Sequence, residues 1–588
     1  MFKGNFKNWQ ASIPCLFLSL VIPLLSFNFT SFFSFRDTLI MPRINRIEWD
    51  GRLLDFLFQY IYNVLVGSGI EPWIVYSLMF QLIFAIGTWI TVWSFGKILE
   101  VFNLNKNNLL IINIVWVWLL GFLYVYNPWT LERFLMGQYY VLAGYMLMPL
   151  GIFLIIRLFD QTNDVLNSTK NQSWQVLGFL IVLSLINIHQ VFMLGMVWIF
   201  WFVFEILSCQ LILNEKKAEV WISGFLDNFW RWSWFWIPVI ALNLFQYWKQ
   251  VGDSFGTYRT DIIQAFGLQI QKDQNIWVRA LIGSGSWNSQ SLVEVYSSLN
   301  RSGRISIESY LGDWAQLTIY FNIYFAFSLI ILVAGVWTWI CYRVWVSKNW
   351  RDQKWFGILS FLGLLGLVLN FGFININQYF YALPLTYIMR ESGKFYSLFW
   401  LCMILILVIY YKFLSKWLQF TLGLFLSLVL IGNLALFLSL PKVINYYDFP
   451  EIYKKINESC SQNDRLLFLP LENYNVTSYS PQVFVASALT KYLKCKTVEP
   501  QISLQDNSSG SWVILKQSSE SQQILELVEN LSDGQLTAQE LLQTIRSLGI
   551  TQLIVEEFQN PKLQEFNQIL KKVILPKQEE ATISWYLL

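Results

Sequence analysis

Few side chains in this sequence can do chemistry, and they fall in a handful of places. Glu132, Arg133 and Gln138 lie in "YVYNPWTLERFLMGQYY", between two long apolar runs. Arg390, Glu391 and Lys394 come together in "MRESGKF". Arg36 and Asp37 directly follow the first apolar run, and Asp50 lies further along the same segment. His189, the only histidine, sits in "NIHQ" inside an apolar stretch. Carboxylates with arginines and a lysine are the groups of proton transfer and anion binding. Taken singly, each charge reads most simply as a helix cap or a local ion pair. Asp37, Arg133 and Arg390 taken together point to one polar site. Glu132 and Glu391 read as partners of their neighbouring bases, and His189 as a hydrogen-bonded turn residue.

What must position them is a membrane-embedded scaffold. The 588 residues are 55% hydrophobic, 18% aromatic and only 13% charged, with a mean hydropathy of +0.44, which excludes a soluble globular chain. Apolar runs of about 20 residues match the length a helix needs to cross the hydrocarbon core. We count about eleven such runs, near 11–33, 72–96, 109–126, 139–157, 174–187, 190–211, 231–248, 317–342, 355–373, 395–411 and 417–440. The fifth and sixth form one stretch too long for a single span, and "NIHQ" offers its only polar turn. The first run is too long for a signal-peptide core and is read as a retained span. No basic run suggests nucleic acid.

Short loops on one side carry Lys97, Lys106, Lys216, Lys217, Arg343, Lys348, Arg351, Lys354, Lys412 and Lys416. Basic residues concentrate in cytoplasmic loops, so these loops and the N-terminus are expected in the cytoplasm, at a multi-pass plasma membrane. All the candidate site residues then fall at the extracytoplasmic ends of spans. Ionisable groups there are costly and face a cavity or one another. In the first external loop Asp55, Gln59 and Asn63 recur every four residues, which predicts a helix lying in the membrane plane.

After Pro441 the pattern changes. "DRLLFLP", "WVILK" and "TQLIVEE" predict buried strands; "SSESQQILELVENL", "TAQELLQTIRSLG" and "NPKLQEFNQILKKV" predict amphipathic helices. Thr537 and Glu540 have capping-box spacing. The fold class expected is therefore membrane all-α, a transmembrane domain over 1–440, followed by a small extracytoplasmic α/β domain over 441–588. Cys460 and Cys495 lie in that tail, either bridged or as two free thiols.

"YNPWTLERFLMGQYYVLAGYMLMPL" and "MRESGKF", with an Asp in the first external loop, resemble a group of large polytopic membrane proteins. In these the second loop looks like "NPF-Y-R---GQ---LLGY-L-P" and the late one like "REP-KF". Trp129 replaces the Phe here, and Ser392-Gly393 departs from the usual residues. The group is similar to the GT-C glycosyltransferase superfamily, with YfhO-type proteins and polyprenyl-phosphate-arabinose-dependent arabinofuranosyltransferases as nearer relatives. The resemblance implies a cell-envelope transferase using a polyprenyl-phosphate sugar donor and an extracytoplasmic glycan, lipid or protein acceptor. It places an essential acid at Asp37, with Asp50 as the fallback. Asp37 would take the acceptor proton as general base, while Arg133, Arg390 and Lys394 hold the departing phosphate. Asp50, Glu132, Gln138, His189 and Glu391 would support them. The external loops carry no DxD, so no cofactor and no tightly bound metal is expected; a loosely held divalent ion stays open.

Two functions use the same polar cavity. One is an inverting glycosyltransferase; the other is a non-catalytic protein that binds, moves or scaffolds a lipid-linked glycan. Only the first needs a carboxylate at Asp37. An ion-coupled transporter would need charges at mid-membrane, whereas these cluster at the outer ends.

Overall fold

The computed structural model describes residues 17–25, 34–35, 38–39, 53–102, 111–135, 138–160, 166–212, 233–246, 334–347, 350–370, 395–443, 451–461, 463–471, 474–477, 480–486, 492–498, 502–505, 512–516, 519–557, 561–580 and 582–588. Two short strands, β1 (Ser34–Phe35) and β2 (Thr38–Leu39), pair antiparallel in the first loop. Helices follow: α1 (Leu53–Gly67), α2 (Pro72–Phe102), α3 (Ile111–Val125), α4 (Pro128–Leu135), α5 (Tyr139–Asp160), α6 (Leu166–Ile186), α7 (Ile188–Ile212), α8 (Trp236–Gln246), α9 (Trp350–Asn370), α10 (Phe395–Tyr410) and α11 (Lys416–Val443). Among the described residues, five helical segments are long and apolar enough to cross a membrane: Pro72–Phe102, Tyr139–Leu158, Asp352–Leu369, Phe395–Phe413 and Lys416–Leu434. Shorter apolar helices lie at Ile114–Val125, Gln172–Ile186, Ile188–Phe204 and Trp236–Gln246. The count of about eleven spans is not reached among the described residues.

The long apolar stretch does divide at "NIHQ". Only Asn187 separates α6 from α7. A Cβ added at Gly144 of α5 would lie 3.0 Å from Asn187 Cβ, while one at Gly151 would lie 2.6 Å from Leu194 and 2.8 Å from Phe179. Leu194 on α7 and Phe179 on α6 thus reach the same depth on α5. The two helices double back on each other with Asn187 at the apex.

Side-chain contacts define the two ends of the bundle. At one end, Lys412 lies 3.4 Å from the Asp352 carboxylate and donates to the Phe102 carbonyl at 3.4 Å. Tyr410 donates to the Asp352 carbonyl at 2.6 Å, and Lys354 stands over the Trp201 ring. This is the end to which the sequence assigned the basic loops. At the other end, Phe58 of α1 packs against Tyr76 of α2 and Tyr139 of α5. Ser397 of α10 donates to the Met193 sulfur of α7, and Asn433 of α11 donates to the Tyr126 carbonyl at 2.9 Å. The first-loop helix, the α3–α4–α5 turn, the α6–α7 apex, the start of α10 and the last turns of α11 therefore share one end.

The chain beyond α11 forms α12 (Glu451–Ser459), β3 (Arg465–Leu469), β4 (Tyr474–Thr477), β5 (Ser480–Ala486), β6 (Lys496–Thr497), β7 (Ile502–Gln505), β8 (Trp512–Lys516), α13 (Ser519–Ser532), α14 (Ala538–Ser547), β9 (Gln552–Glu556), α15 (Pro561–Lys571), β10 (Gln578–Glu580) and β11 (Ile583–Leu587). The main sheet runs β10-β11-β9-β3-β6, parallel across β9, β3 and β6 and antiparallel at β11 and β10. Its strands alternate faces. Leu467, Leu469, Leu553 and Val555 pack with α13, α14 and α15, while Leu466, Ile554, Ile583 and Trp585 join a cluster with α12 that continues into the bundle. Thr537 and Glu540 form the expected capping box, and the Thr537 donors hold the Glu540 carboxyl below its ordinary value. "WVILK" forms β8, which pairs with β7 in a separate ribbon rather than in the main sheet. Cys460 and Cys495 are bridged.

Candidate functional site

The stretch from Tyr124 to Tyr145 folds as one hydrogen-bonded knot. Pro128 opens α4, where its missing N–H costs nothing, and Asn127 caps it. The Asn127 side-chain oxygen accepts from Thr130 N at 3.0 Å, and the Thr130 hydroxyl accepts from Asn127 N at 3.2 Å. The Asn127 amide donates to the Tyr145 hydroxyl at 3.2 Å. These bonds fix a helix of only eight residues that would not hold by itself.

Arg133, on that helix, is fully buried. Its Nη1 donates to Gln138 Oε1 at 3.0 Å, and its guanidinium stands 5.3 Å from the Trp129 ring centroid. The Gln138 N–H returns to the Arg133 carbonyl at 3.0 Å. The arginine is thus pre-positioned by its own loop. Glu132 lies in α4, but its side chain is outside the described residues.

The neighbouring carboxylate from the first loop is Asp55, which the sequence placed on an interfacial helix without giving it a site role. It accepts from the Tyr139 hydroxyl and from Gln59 Nε2 at 2.9 Å. Asp55 therefore ties α1 to the residue following Gln138. The polar stripe Asp55–Gln59–Asn63 was a visible signal; its partner Tyr139, far along the chain, was not.

His189 is the turn residue the sequence suggested. Its backbone N–H donates to Asn187 Oδ1 at 2.8 Å, and its ring Nδ1 is also 2.8 Å from that oxygen. Asp37, Asp50, Arg390, Glu391 and Lys394 lie outside the described residues. Their chain neighbours are described. β1 and β2, which flank Arg36–Asp37 in sequence, lie beside β5 of the tail. α10 begins at Phe395, immediately after Lys394, at the same end as Arg133. Among the described residues no group of three His, Cys, Asp or Glu side chains could hold a metal ion.

The fold has solved counterparts. Over 100% of its length it matches the cryo-EM structure of the arabinofuranosyltransferase AftD from Mycobacteria, with a TM-score of 0.56 at 12% identity. The chain shares the fold of that structure. A mutant form of the same enzyme matches 94% of the chain with a TM-score of 0.51, also at 12% identity. The chain spans 40% and 37% of the length of these two structures. No protein-family model matches the sequence, and no curated protein matches it. The likeness is one of architecture.

Proposed function

We propose that this protein is a membrane glycosyltransferase that moves a sugar from a polyprenyl phosphate to an extracytoplasmic acceptor. The supporting observation is convergence. The first-loop hairpin and α1, the Arg133 turn and the start of α10 gather at one end of a GT-C-like bundle, with the tail at that same end. In this reading that end faces outward and the basic end faces the cytoplasm. The disulfide in the tail fits an oxidising compartment.

In the reaction, the Asp37 carboxylate takes the proton of an acceptor hydroxyl. The acceptor oxygen bonds to the anomeric carbon, and the bond from that carbon to the phosphate oxygen breaks. The polyprenyl phosphate leaves with its charge held by Arg133, Arg390 and Lys394. Glu132, Glu391 and Gln138 orient the cations, and neither a cofactor nor a resident metal is required. Residues 441–588 act as a folded domain above the transferring end. Tail strand β5, beside the strands flanking Asp37, supports a role for the tail in screening the first loop.

The test is genetic and chemical together. A strain lacking the protein should accumulate one lipid-linked sugar. The wild-type gene should clear it, and Asp37→Asn should not, although the variant is made and inserted normally. Full rescue by Asp37→Asn would replace this reading with that of a glycan-binding scaffold.

A further inference from the structure

Several buried polar side-chain atoms in the bundle have no hydrogen-bond partner among the described residues, and two carboxamides at the α6–α7 apex are among them. Gln190, in the first turn of α7, is fully buried, and neither end of its amide has a hydrogen-bond partner among the described residues. The Nδ2 of Asn187, itself 1% exposed, is in the same condition. Nearby, Asn243 of α8 donates to the Ser184 hydroxyl at 2.9 Å, but its Oδ1 has no partner among the described residues. By contrast, buried Tyr124, Asn127, Thr130 and Tyr145 are all bonded. Buried amides left unpaired are costly, so a group of them marks a place where something else completes their bonding.

The location is specific. A Cβ on Gly144 would stand 3.1 Å from Gln190 Oε1 and 3.0 Å from Asn187 Cβ, so the glycine lets α5 pack closely against these amides. Gly144 is six residues beyond Gln138, which directly precedes α5, and this puts it about 9 Å along the axis from the residue that holds Arg133. The site is uncharged: two carboxamides offer donors and acceptors in pairs, and His189 is already engaged with Asn187 Oδ1. Such a set suits adjacent hydroxyls and brings no positive charge to a phosphate.

We propose that Gln190 and Asn187 bind the hydroxyl groups of the sugar on the lipid donor, inward of a phosphate held by Arg133. The assignment rests on the glycosyltransferase reading and makes these amides sugar-selecting residues of the same site.

Binding separates this role from a merely structural one. The full chain in detergent is titrated with bare polyprenyl monophosphate and with polyprenyl phosphates carrying arabinofuranosyl, mannosyl or glucosyl groups. Wild type should bind one glycosylated lipid about tenfold more tightly than the bare lipid, the value of one well-made hydrogen bond set. Gln190→Met should lose that preference while keeping its affinity for the bare lipid and its melting temperature. Gly144→Ala, which pushes on the Gln190 amide, should lose the preference too. A Gln190→Met protein that still prefers the sugar-bearing lipid overturns the proposal and leaves the amides to buried water. Equal weakening toward all lipids, with a lower melting temperature, overturns it in favour of packing. Wild type that binds bare and glycosylated lipids alike removes the sugar site but not the transferase reading. Wild type that binds none of them removes both.

Discussion

The hydroxyl of Tyr124 donates to the carbonyl oxygen of Tyr145, and the hydroxyl of Tyr145 donates to the carbonyl oxygen of Tyr124, each at 2.9 Å. The rings stack with centroids 4.2 Å apart. One residue is near the end of α3 and the other near the start of α5, so this exchange clamps the two helices on either side of α4. The short helix carrying Arg133 is held between them. Tyr145→Phe keeps the stack but removes the bond to Tyr124 and the acceptor for Asn127. Both losses are buried, so the variant should be less stable by about 1–3 kcal/mol. Thermal unfolding in detergent measures this; an unchanged melting temperature would show that the clamp carries no strain-bearing role.

Arg133 and Gln138 make a second test. Gln138→Glu preserves size and places a carboxylate where an amide oxygen now accepts from Arg133 at 3.0 Å. The new ion pair would compete with an anionic donor for the guanidinium. Transfer should need about tenfold more donor, with the maximal rate less affected. Arg133→Lys keeps the charge but loses the planar fork and its stacking on Trp129, and should also lower donor use. If the glycosylated lipid is used equally well by both variants, Arg133 does not hold the phosphate.

The sequence made some of this legible. Local signals survived intact: the "NIHQ" break became the α6–α7 apex, and Thr537 with Glu540 became a capping box. "TQLIVEE" became a strand buried along its whole length, at the centre of the sheet. What stayed hidden was long-range. Asp55 meets Tyr139 across 84 residues, and no periodicity records such a pair. The last strand, β11, inserts beside β9, which "ISWYL" alone does not announce. β8 carries the apolar run of a core strand yet pairs in a two-stranded ribbon, because which sheet a strand joins depends on the chain around it. The "NPWTLERF" motif read as chemistry alone, but much of it serves to fold the turn: Asn127, Thr130, Trp129 and Gln138 all hold the loop or Arg133 in place.

Helix packing gives a prediction free of the functional reading. A Cβ on Gly366 of α9 would stand 2.9 Å from the backbone nitrogen of Phe399 and 3.0 Å from the carbonyl oxygen of Phe395, both on α10. Backbone atoms cannot swing aside as a side chain can. Close helix contacts in membranes depend on such small residues. Gly366→Ala should therefore destabilise the protein by about 1–3 kcal/mol, as overpacking does. Gly178→Ala on α6 is the control, since among the described residues nothing beyond its chain neighbours and the helix's own backbone lies within 4 Å of its added Cβ. It should be neutral or slightly stabilising. Equal melting temperatures for the two variants would mean that α9 and α10 are not in backbone contact.

The final test concerns the tail and its orientation. α12 is the first tail helix after the last membrane helix, and it is fastened at both ends. At its start, the Glu580 carboxylate accepts from the backbone N–H groups of Glu451 at 3.1 Å and Ile452 at 2.6 Å, a favourable anion at a helix N-terminus. At its end, Cys460 is bridged to Cys495 across 35 residues of sequence. Closing a loop of that size stabilises the folded tail by about 4 kcal/mol in the chain-entropy account. Cys495→Ser should lower the unfolding temperature of the tail and expose it to protease beyond Pro441. Because β5 stands beside β1 and β2, the same variant should also reduce transfer, with the bundle still folded. Orientation is read from the same pair in intact membranes. If the tail is outside, Cys460 and Cys495 resist a maleimide until a reductant is added, and the chain shifts in mobility between non-reducing and reducing gels. Labelling of both thiols without reductant would place the tail in a reducing compartment and reverse the proposed topology, carrying Asp37 and its strands to the cytoplasmic side with it.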